Sequence, residues 1–175
     1  MGTVEVVEVT DPVDSALVPG LVASLEGLWA HDSRRFDPIV ASDWPATEGA
    51  EYVKDVARDA DAVLLALRIG GQVHGHLVGR LAVANDFRMV PVAVLESMQV
   101  SAAHRGAGAG SALVEMFEAW ARDRGAHALS VTATAANDGA RHFYASHGYT
   151  EQSVTYRRWL VPPSSDASAA TSQAL

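Results

Sequence analysis

Three glycines at alternate positions, Gly106, Gly108 and Gly110, separate an apolar strand-like segment from an apolar helical pattern. Glycine weakens regular structure, so it is used where the backbone needs unusual dihedral angles or close approach to another group. The following helix would present unpaired N–H groups and partial positive charge at its N-terminus. This order predicts a cradle for a phosphate or pyrophosphate, beside which Arg105 adds a formal charge. A tight turn without a ligand is the alternative.

Two familiar phosphate-binding loops do not fit this segment. A Walker loop ends in Gly-Lys-Ser/Thr, whereas Gly110 is followed directly by Ser111. A dinucleotide-binding loop has the spacing G-x-G-x-x-G, whereas the spacing here is G-x-G-x-G. Both classes of nucleotide-binding loop are therefore disfavoured.

Charge and cysteine content exclude several functional classes. The 175 residues carry a net charge of −8, which argues against general binding to nucleic acids or anionic membranes. An acidic surface is compatible with a cationic partner such as an amine, although solubility alone also explains it. The absence of cysteine excludes disulfides, thiolate metal sites and a cysteine nucleophile. Without a signal peptide or a long apolar run, we expect a soluble, cytoplasmic protein.

Apolar periodicities predict strands and helices that alternate along one domain, residues 1–161. Hairpins in the first half and a β-α-β order in the second indicate one mixed α/β sheet with helices on both faces. The stretch 31–49 is predicted to be mostly loop, and the tail 162–175, low in bulky apolar residues, is predicted to be disordered. Strands are predicted at 4–10, 62–69, 72–81, 92–100, 127–133 and 149–160, and helices from about Pro19, over about 48–58, from the glycine loop to about 124, and from Asn137 to Gly148.

Three separated segments of the sequence carry recognisable motifs. The glycine loop, Arg105 to Gly110, has the form R-x-x-G-x-G, and the strand LESMQV precedes it. Asn137 to Tyr144 reads N-x-x-A-x-x-F-Y and is followed by HGY at 147–149. Spanning residues 92–150 in this order, they resemble the GCN5-related N-acetyltransferase (GNAT) superfamily. The N-terminal third resembles that family only in its predicted order of elements.

The resemblance implies a fold, a cofactor and a reaction. The fold would be a single mixed, mostly antiparallel sheet of about six or seven strands, flanked by about four helices, with a splayed central strand pair. The cofactor would be acetyl-CoA, whose pantetheine arm would lie in that gap. The implied reaction is direct transfer of an acetyl group to a primary amine of a small molecule or peptide in a ternary complex. Without cysteine, a cysteine-borne acyl-enzyme is impossible.

The implied cofactor contacts lie on the strand, the loop and the last helix. Strand backbone would pair with pantetheine, loop amides would cradle the pyrophosphate, and Asn137 would contact the pantetheine or phosphate region. Tyr144 would lie near the thioester sulfur. The implied cofactor-binding residues are Met98, Gln99, Val100, Arg105, Gly106, Ala107, Gly108, Ala109, Gly110, Ser111, Asn137 and Tyr144.

Glu96 is the candidate general base. Strand alternation would place it on one face with Val92, Val94, Met98 and Val100. Burial on an apolar face raises the pKa of a carboxyl group toward the range that suits a general base. A glutamate at this strand position has that role in a number of members of the resembled family, often through water. The alternatives are a carboxylate paired with arginine or one exposed at the splay.

Tyr144 is the candidate general acid. It follows Asn137 by about two helical turns, so both side chains would face a similar direction. By resemblance, its phenol would donate a proton to the departing thiolate. A core tyrosine packed beside Phe143 is the alternative. The oxyanion would be met by the backbone N–H of Met98 or Val100.

The acceptor site is less defined. Acidic and aromatic residues in the N-terminal third would suit a cationic amine, but would equally suit a surface loop with buried anchors. Tyr156 and Trp159, on the predicted last strand, could be acceptor, core or dimer contacts. His74 and His76 share a strand face without a third ligand, so no metal site is predicted. The acceptor candidates of the N-terminal third are Trp29, Asp32, Phe36, Asp37, Asp43 and Trp44.

Two other functions remain open from the sequence. One is a non-catalytic domain of the same fold that senses acyl-CoA or mediates assembly, and the other is acetylation of a protein amine. The presence of both Glu96 and Tyr144 favours an enzyme. No nucleic acid or membrane partner is expected, and a homodimer is suggested by the resemblance alone.

Overall fold

Five strands form the central sheet of the computed structural model, which describes residues 3–39, 43–85 and 89–160. Strands β1 to β4 pair antiparallel in chain order, and β5 is parallel to β4. The predicted mixed, mostly antiparallel sheet is confirmed, whereas the predicted disordered tail at 162–175 lies outside the described residues. The strands are β1 (Val4–Glu8), β2 (Ala62–Ile69), β3 (Gln72–Ala82), β4 (Val92–Val100) and β5 (Ala128–Val131).

Helices cover both faces of the sheet, as predicted. They are α1 (Val18–Arg35), α2 (Trp44–Arg58), α3 (Ala109–Asp123) and α4 (Asp138–Ser146). On strand β2, Leu64 belongs to the core formed with α1 and α2, whereas its neighbour Leu65 belongs to the core formed with α3. The continuous apolar run of β2 reflects this burial on two faces. Tyr144, on α4, packs against the α3 core.

Gly79 on β3 allows α3 to approach the sheet. A Cβ at this position would lie 2.7 Å from Cδ2 of Phe117, whose side chain is fully buried. We expect Gly79→Ala to lower the free energy of unfolding by about 1–3 kcal/mol, because the core must shift to admit the methyl group. Urea denaturation measures this change. Gly139→Ala is the control, since its Cβ would meet only Asn137 Oδ1 at 3.7 Å. Equal unfolding midpoints for Gly79→Ala and the native chain would contradict the expectation.

The predicted loop over 31–49 is largely helical where the structure describes it. Helix α1 continues to Arg35, and α2 already begins at Trp44. Pro45 lies in the first turn of α2, where its missing N–H removes no helical hydrogen bond. This proline therefore marks the start of a helix in a segment that was predicted to be loop.

The predicted strand at 149–160 is wrong. Residues 149–159 have no regular secondary structure, and the described sheet therefore has five strands instead of about six or seven. Val154 is 69% exposed and Tyr156 is 91% exposed, so the alternating pattern of this segment is not buried. A strand forms only where a neighbouring edge pairs its backbone groups, and alternation alone does not show whether an edge is available.

Candidate active site

The sheet opens between β4 and β5. The two strands pair only from Val92 to Leu95 on β4, opposite Ala128 to Val131 on β5. Strand β4 continues along β3 to Val100, so its other edge has no strand partner beyond Leu95 within the described ranges. An unpaired strand edge presents N–H and C=O groups that an extended ligand can bind. This opening is the splayed strand pair that the resemblance implied.

A cleft of about 110 Å³ lies where the two strands separate. Its walls come from α1, β4, the segment after β5, and α4. It brings together four residues predicted from the sequence, which are Asp32, Glu96, Met98 and Tyr144, and adds Ser97. The predicted catalytic pair therefore shares one cleft.

Tyr144 provides a protonated phenol in this cleft. Burial raises its pKa to about 12, and the charges of Tyr149 and Asp32 act in the same direction. The ring contacts Phe143 and Tyr149 edge-on, with centroid distances of 5.3 and 5.5 Å. Tyr144 thus both packs against the core and lines the cleft. The packing holds its phenol where it can act as a proton donor.

Glu96 does not lie on the predicted apolar face. Gly79 of β3 is opposite Leu95 and Val78 is opposite Ser97, so Glu96 is the extra residue of a β-bulge. The bulge reverses the alternation, and Met98 packs with the α3 core while Glu96 is exposed. Its Oε1 accepts a hydrogen bond from Arg80 Nε at 3.2 Å. Both alternatives to a buried base therefore describe Glu96: its carboxylate is paired with an arginine, and it is exposed where the strands splay.

The glycine loop caps the N-terminus of α3. Gly106 and Gly108 have φ angles of 78° and 81°, and a Cβ at either would meet nothing within 4 Å. Ala112 N–H donates to Gly108 O at 3.0 Å, so the amides of residues 109–111 have no acceptor within the helix. Open space, unpaired amides and the positive end of a helix together fit a phosphate group.

Gly110 has a different role from the other two glycines. A Cβ there would lie 3.2 Å from the Phe143 ring of α4 and 3.8 Å from Met98 Cε of β4. Its missing side chain therefore lets α3, α4 and β4 meet at one point. The glycine loop and the cleft are adjacent because Met98 lies beside both.

Comparison with known proteins identifies relatives of this chain. The Acetyltransferase (GNAT) family is matched over residues 25–149. The chain is also 31% identical over 126 residues to an aminoglycoside N(6')-acetyltransferase type 1 of Stenotrophomonas maltophilia, an alignment covering 69% of this chain and 82% of that protein. The chain belongs to the GNAT acetyltransferase family. The predictions of this family and of an N-acetyltransferase enzyme are confirmed.

Solved structures share the fold of the acetyltransferase. An aminoglycoside acetyltransferase from an uncultured soil metagenomic sample, solved in complex with sisomicin, has a TM-score of 0.67 at 16% identity, covering 90% of this chain and 96% of that chain. A transcriptional regulator from Bacillus halodurans has a TM-score of 0.69 at 20% identity, covering 90% and 100%. At such identities the likeness shows the fold alone. None of the helices described here is long and apolar enough to span a membrane.

Two side chains predicted at the phosphate site are engaged within the acetyltransferase itself. Arg105 Nε donates to the Val100 carbonyl oxygen at 2.8 Å, so that carbonyl already has a partner. Ser111 Oγ lies 3.0 Å from His147 Nε2, and His147 Nδ1 lies 2.8 Å from the Phe143 carbonyl oxygen. These bonds tie the loop to β4 and α4. The predicted cradle therefore depends on backbone amides more than on side chains. The role of His147 was not predicted from the sequence.

Asn137 is the N-cap of α4. Its side-chain oxygen accepts the Ala140 N–H at 3.1 Å, which satisfies one of the free donors at the helix start. This bond explains the asparagine without a ligand. The predicted contact between Asn137 and the cofactor stays a prediction.

Only one of the six acceptor candidates, Asp32, lines the cleft. Trp29 and Trp44 pack edge-on with centroids 5.0 Å apart, which accounts for them as anchors between α1 and α2. Both carboxylate oxygens of Asp37 accept hydrogen bonds from Arg157, at 2.7 and 2.8 Å. This bidentate pair holds the segment after α4 near the end of α1.

A buried polar chain connects the cleft with α1. His76 on β3 is fully buried, with Nε2 3.2 Å from Ser97 Oγ and Nδ1 2.7 Å from Ser24 Oγ. Ser24 donates its proton to Gln99 Oε1 at 2.8 Å, so the His76 Nδ1–H donates to Ser24 and Nε2 accepts from Ser97. Burial lowers the pKa of His76 to about 4, which keeps the ring neutral at physiological pH.

From the sequence, His76 is a candidate only for a metal ligand beside His74. In the structure, the His74 ring instead lies against the His104 ring, with centroids 4.3 Å apart. The part of the chain that the structure describes contains no group of three or more side chains arranged to hold a metal ion. His76 has a structural role that spacing along β3 could not reveal, because Ser24 and Ser97 come from other elements.

Proposed function

We propose that this acetyltransferase uses acetyl-CoA and passes the acetyl group directly to a primary amine of a small molecule. The observation that supports this most is the meeting of Tyr144, Met98 and Glu96 in the cleft where β4 leaves β5. The glycine loop adjoins that cleft through the contact region of Gly110 and Met98. One path therefore passes three features in turn: a proton donor, an unpaired strand edge and a surface suited to phosphate.

The residues present fit acetyl-CoA. The amides of residues 109–111 and the open surface at Gly106 and Gly108 suit a pyrophosphate. The unpaired edge of β4 after Leu95 suits an arm that carries amide groups. When bound, acetyl-CoA supplies an acetyl group activated as a thioester. The backbone N–H groups of Met98 and Val100 are the candidates to stabilise the oxyanion.

Two side chains are proposed to move protons. Tyr144 donates its phenolic proton to the departing sulfur, since burial raises its pKa and keeps the phenol protonated at neutral pH. Glu96, at the exposed rim and bound to Arg80, takes up a proton through water. A neutral amine is required for attack, so a route for its proton must exist.

The proposed acceptor class is a cationic small-molecule amine of the aminoglycoside type. The relative from Stenotrophomonas maltophilia is an aminoglycoside N-acetyltransferase, and this chain has a net charge of −8. Release of free thiol from acetyl-CoA on addition of sisomicin tests the proposal. A peptide with a free N-terminus tests the competing assignment to protein amines. Thiol release with the peptide and not with sisomicin would favour that competitor.

We expect Gly108→Glu to abolish acetyl-CoA binding. The variant places a carboxylate and a side chain at a left-handed position beside the unpaired amides of α3, where the pyrophosphate is proposed to bind. Isothermal titration calorimetry with acetyl-CoA measures the affinity. The native chain should bind, and the variant should show no heat of binding at the same concentrations.

Gly125→Glu is the matched control for this experiment. Gly125 also has a positive φ, 74°, with nothing within 4 Å of a Cβ, and it lies at the opposite end of α3. The two variants therefore share the added charge and the backbone strain. Loss of binding in both would point to a general effect of charge or strain. Absence of binding by the folded native chain would overturn the assignment of acetyl-CoA.

A further inference from the structure

We propose that Asp32 is the residue that binds the ammonium group of the acceptor and accepts its proton, an inference that rests on the proposed function. Asp32 lies near the end of α1 and lines the cleft that also contains Tyr144 and Glu96. It thus approaches the proposed reaction site from α1, whereas Glu96 approaches it from β4. The sequence suggested it only as one of six candidates in the N-terminal third.

The side chain of Asp32 is without a protein partner in the part of the chain that the structure describes. Within the described residues its carboxylate makes no hydrogen bond or ion pair, whereas Glu96 is bound by Arg80 and Asp37 is bound by Arg157. Burial raises the pKa of Asp32, with the neighbouring His31 acting in the opposite direction. A half-buried carboxylate without a partner is unfavourable, and a cationic ligand would supply the missing hydrogen bonds.

Asp32 and Tyr144 are also coupled electrostatically. The negative charge of Asp32 adds to burial in raising the pKa of the Tyr144 phenol. When an ammonium group binds Asp32, or when a proton is transferred to Asp32, the negative charge no longer raises the pKa of Tyr144. Acceptor binding would then make Tyr144 a stronger acid at the moment its proton is needed. Among the residues that the structure describes, the charged and titratable groups around Asp32 are His31 on its own helix, Glu96 on β4 and Tyr144 on α4.

The proton and electron balance closes with these groups. One ammonium proton passes to a carboxylate oxygen of Asp32, and the freed electron pair on nitrogen forms the bond to the acetyl carbonyl carbon. The carbon–sulfur bond breaks, its electron pair goes to sulfur, and sulfur takes the Tyr144 proton. A second proton from nitrogen restores the phenol. Asp32 then passes its proton through water to Glu96 at the rim of the cleft, and Glu96 releases it to solvent.

The test compares Asp32→Asn with Glu96→Gln, using sisomicin and spermidine as acceptors. At about pH 7 we expect Asp32→Asn to lower kcat/KM for the amine about a hundredfold, while calorimetric affinity for acetyl-CoA is unchanged. Without the carboxylate, only amine that is already neutral can react. The kcat/KM of Asp32→Asn should therefore rise about tenfold per pH unit as long as the pH lies below the pKa of the reacting amine, because the neutral fraction of the amine rises by that factor. The native enzyme and Glu96→Gln should lack this rise.

Two further variants keep the test decisive. Asp32→Glu retains the carboxylate and should recover part of the activity without the steep pH dependence. Asp55→Asn removes an equal charge from the exposed face of α2 and should behave as the native enzyme. A pH profile of Asp32→Asn parallel to that of the native enzyme would overturn the role of Asp32. The steep rise appearing in Glu96→Gln instead would do the same.

Failure of the proposed function would look different. A native enzyme that binds acetyl-CoA but acetylates neither amine overturns transfer to cationic amines, and the role of Asp32 with it. If the native enzyme acetylates sisomicin or spermidine and Asp32→Asn does so equally well, the role of Asp32 alone is overturned. Circular dichroism and thermal unfolding of each variant separate these outcomes from loss of folding.

Discussion

Replacing Tyr144 by phenylalanine is expected to lower kcat for acetyl transfer by about a hundredfold or more, because general acid catalysis commonly contributes that much. The substitution removes one hydroxyl and keeps the ring that packs against Phe143 and Tyr149. Affinity for acetyl-CoA and thermal stability should therefore change little. Steady-state kinetics with sisomicin measure kcat, and calorimetry measures the affinity.

Tyr149→Phe is the matched control for this prediction. The two tyrosines contact each other, and burial raises the pKa of each to about 12. Tyr149 does not line the cleft, and its buried hydroxyl has no hydrogen-bond partner in the part of the chain that the structure describes. We expect this variant to retain native kcat. An unchanged kcat in Tyr144→Phe would remove Tyr144 from the mechanism, and equal losses in both variants would indicate a packing effect.

Acid is expected to destabilise the acetyltransferase through His76. Burial lowers the folded-state pKa from 6.5 to about 4, so the unfolded chain binds more protons between these values. The neutral ring therefore contributes its full stability above about pH 6.5, and that contribution is lost as the pH falls toward about 4. The difference corresponds to a loss on the order of 3 kcal/mol.

Urea denaturation at several pH values between about 7.5 and 4.5 measures this effect. We expect the free energy of unfolding to fall with pH in the native chain and to fall less steeply in His76→Asn, which cannot titrate. His127→Asn, at an exposed histidine outside the cleft, is the control and should keep the native slope. If His76→Asn retains the native slope, another group is responsible for the acid sensitivity.

The position of Glu96, the predicted base, shows that a β-bulge can change which face of a strand a residue occupies. Alternation along 92–100 placed Glu96 with Met98 and Val100, but the bulge opposite Val78 and Gly79 moves Glu96 away from them. A bulge depends on how two strands pair, so the sequence of one strand does not reveal it. Glu96 nevertheless lines the cleft, because its place there depends only on where β4 leaves β5.

The last predicted strand failed for a related reason. The segment 149–160 alternates apolar and polar residues, yet Val154 and Tyr156 are exposed and no described strand pairs with the segment. It is tied to the rest of the chain by the ion pair of Arg157 with Asp37, which are 120 positions apart. Contacts at such separation leave no periodic signal in the sequence.

Local signals in the chain were sufficient for most of the order of elements, the glycine loop and the helix start at Asn137. Each depends on residues close together in sequence: apolar spacing, a position that suits glycine, or a side chain that bonds its own helix. Membership of the GNAT family was predicted from the resemblance of three separated segments over residues 92–150. Tertiary packing alone decided that Asp32 lines the cleft, that Arg80 binds Glu96, and that His76 joins Ser24 to Ser97. These contacts join different helices and strands, so strand register and helix docking had to be known before the side chains could be placed.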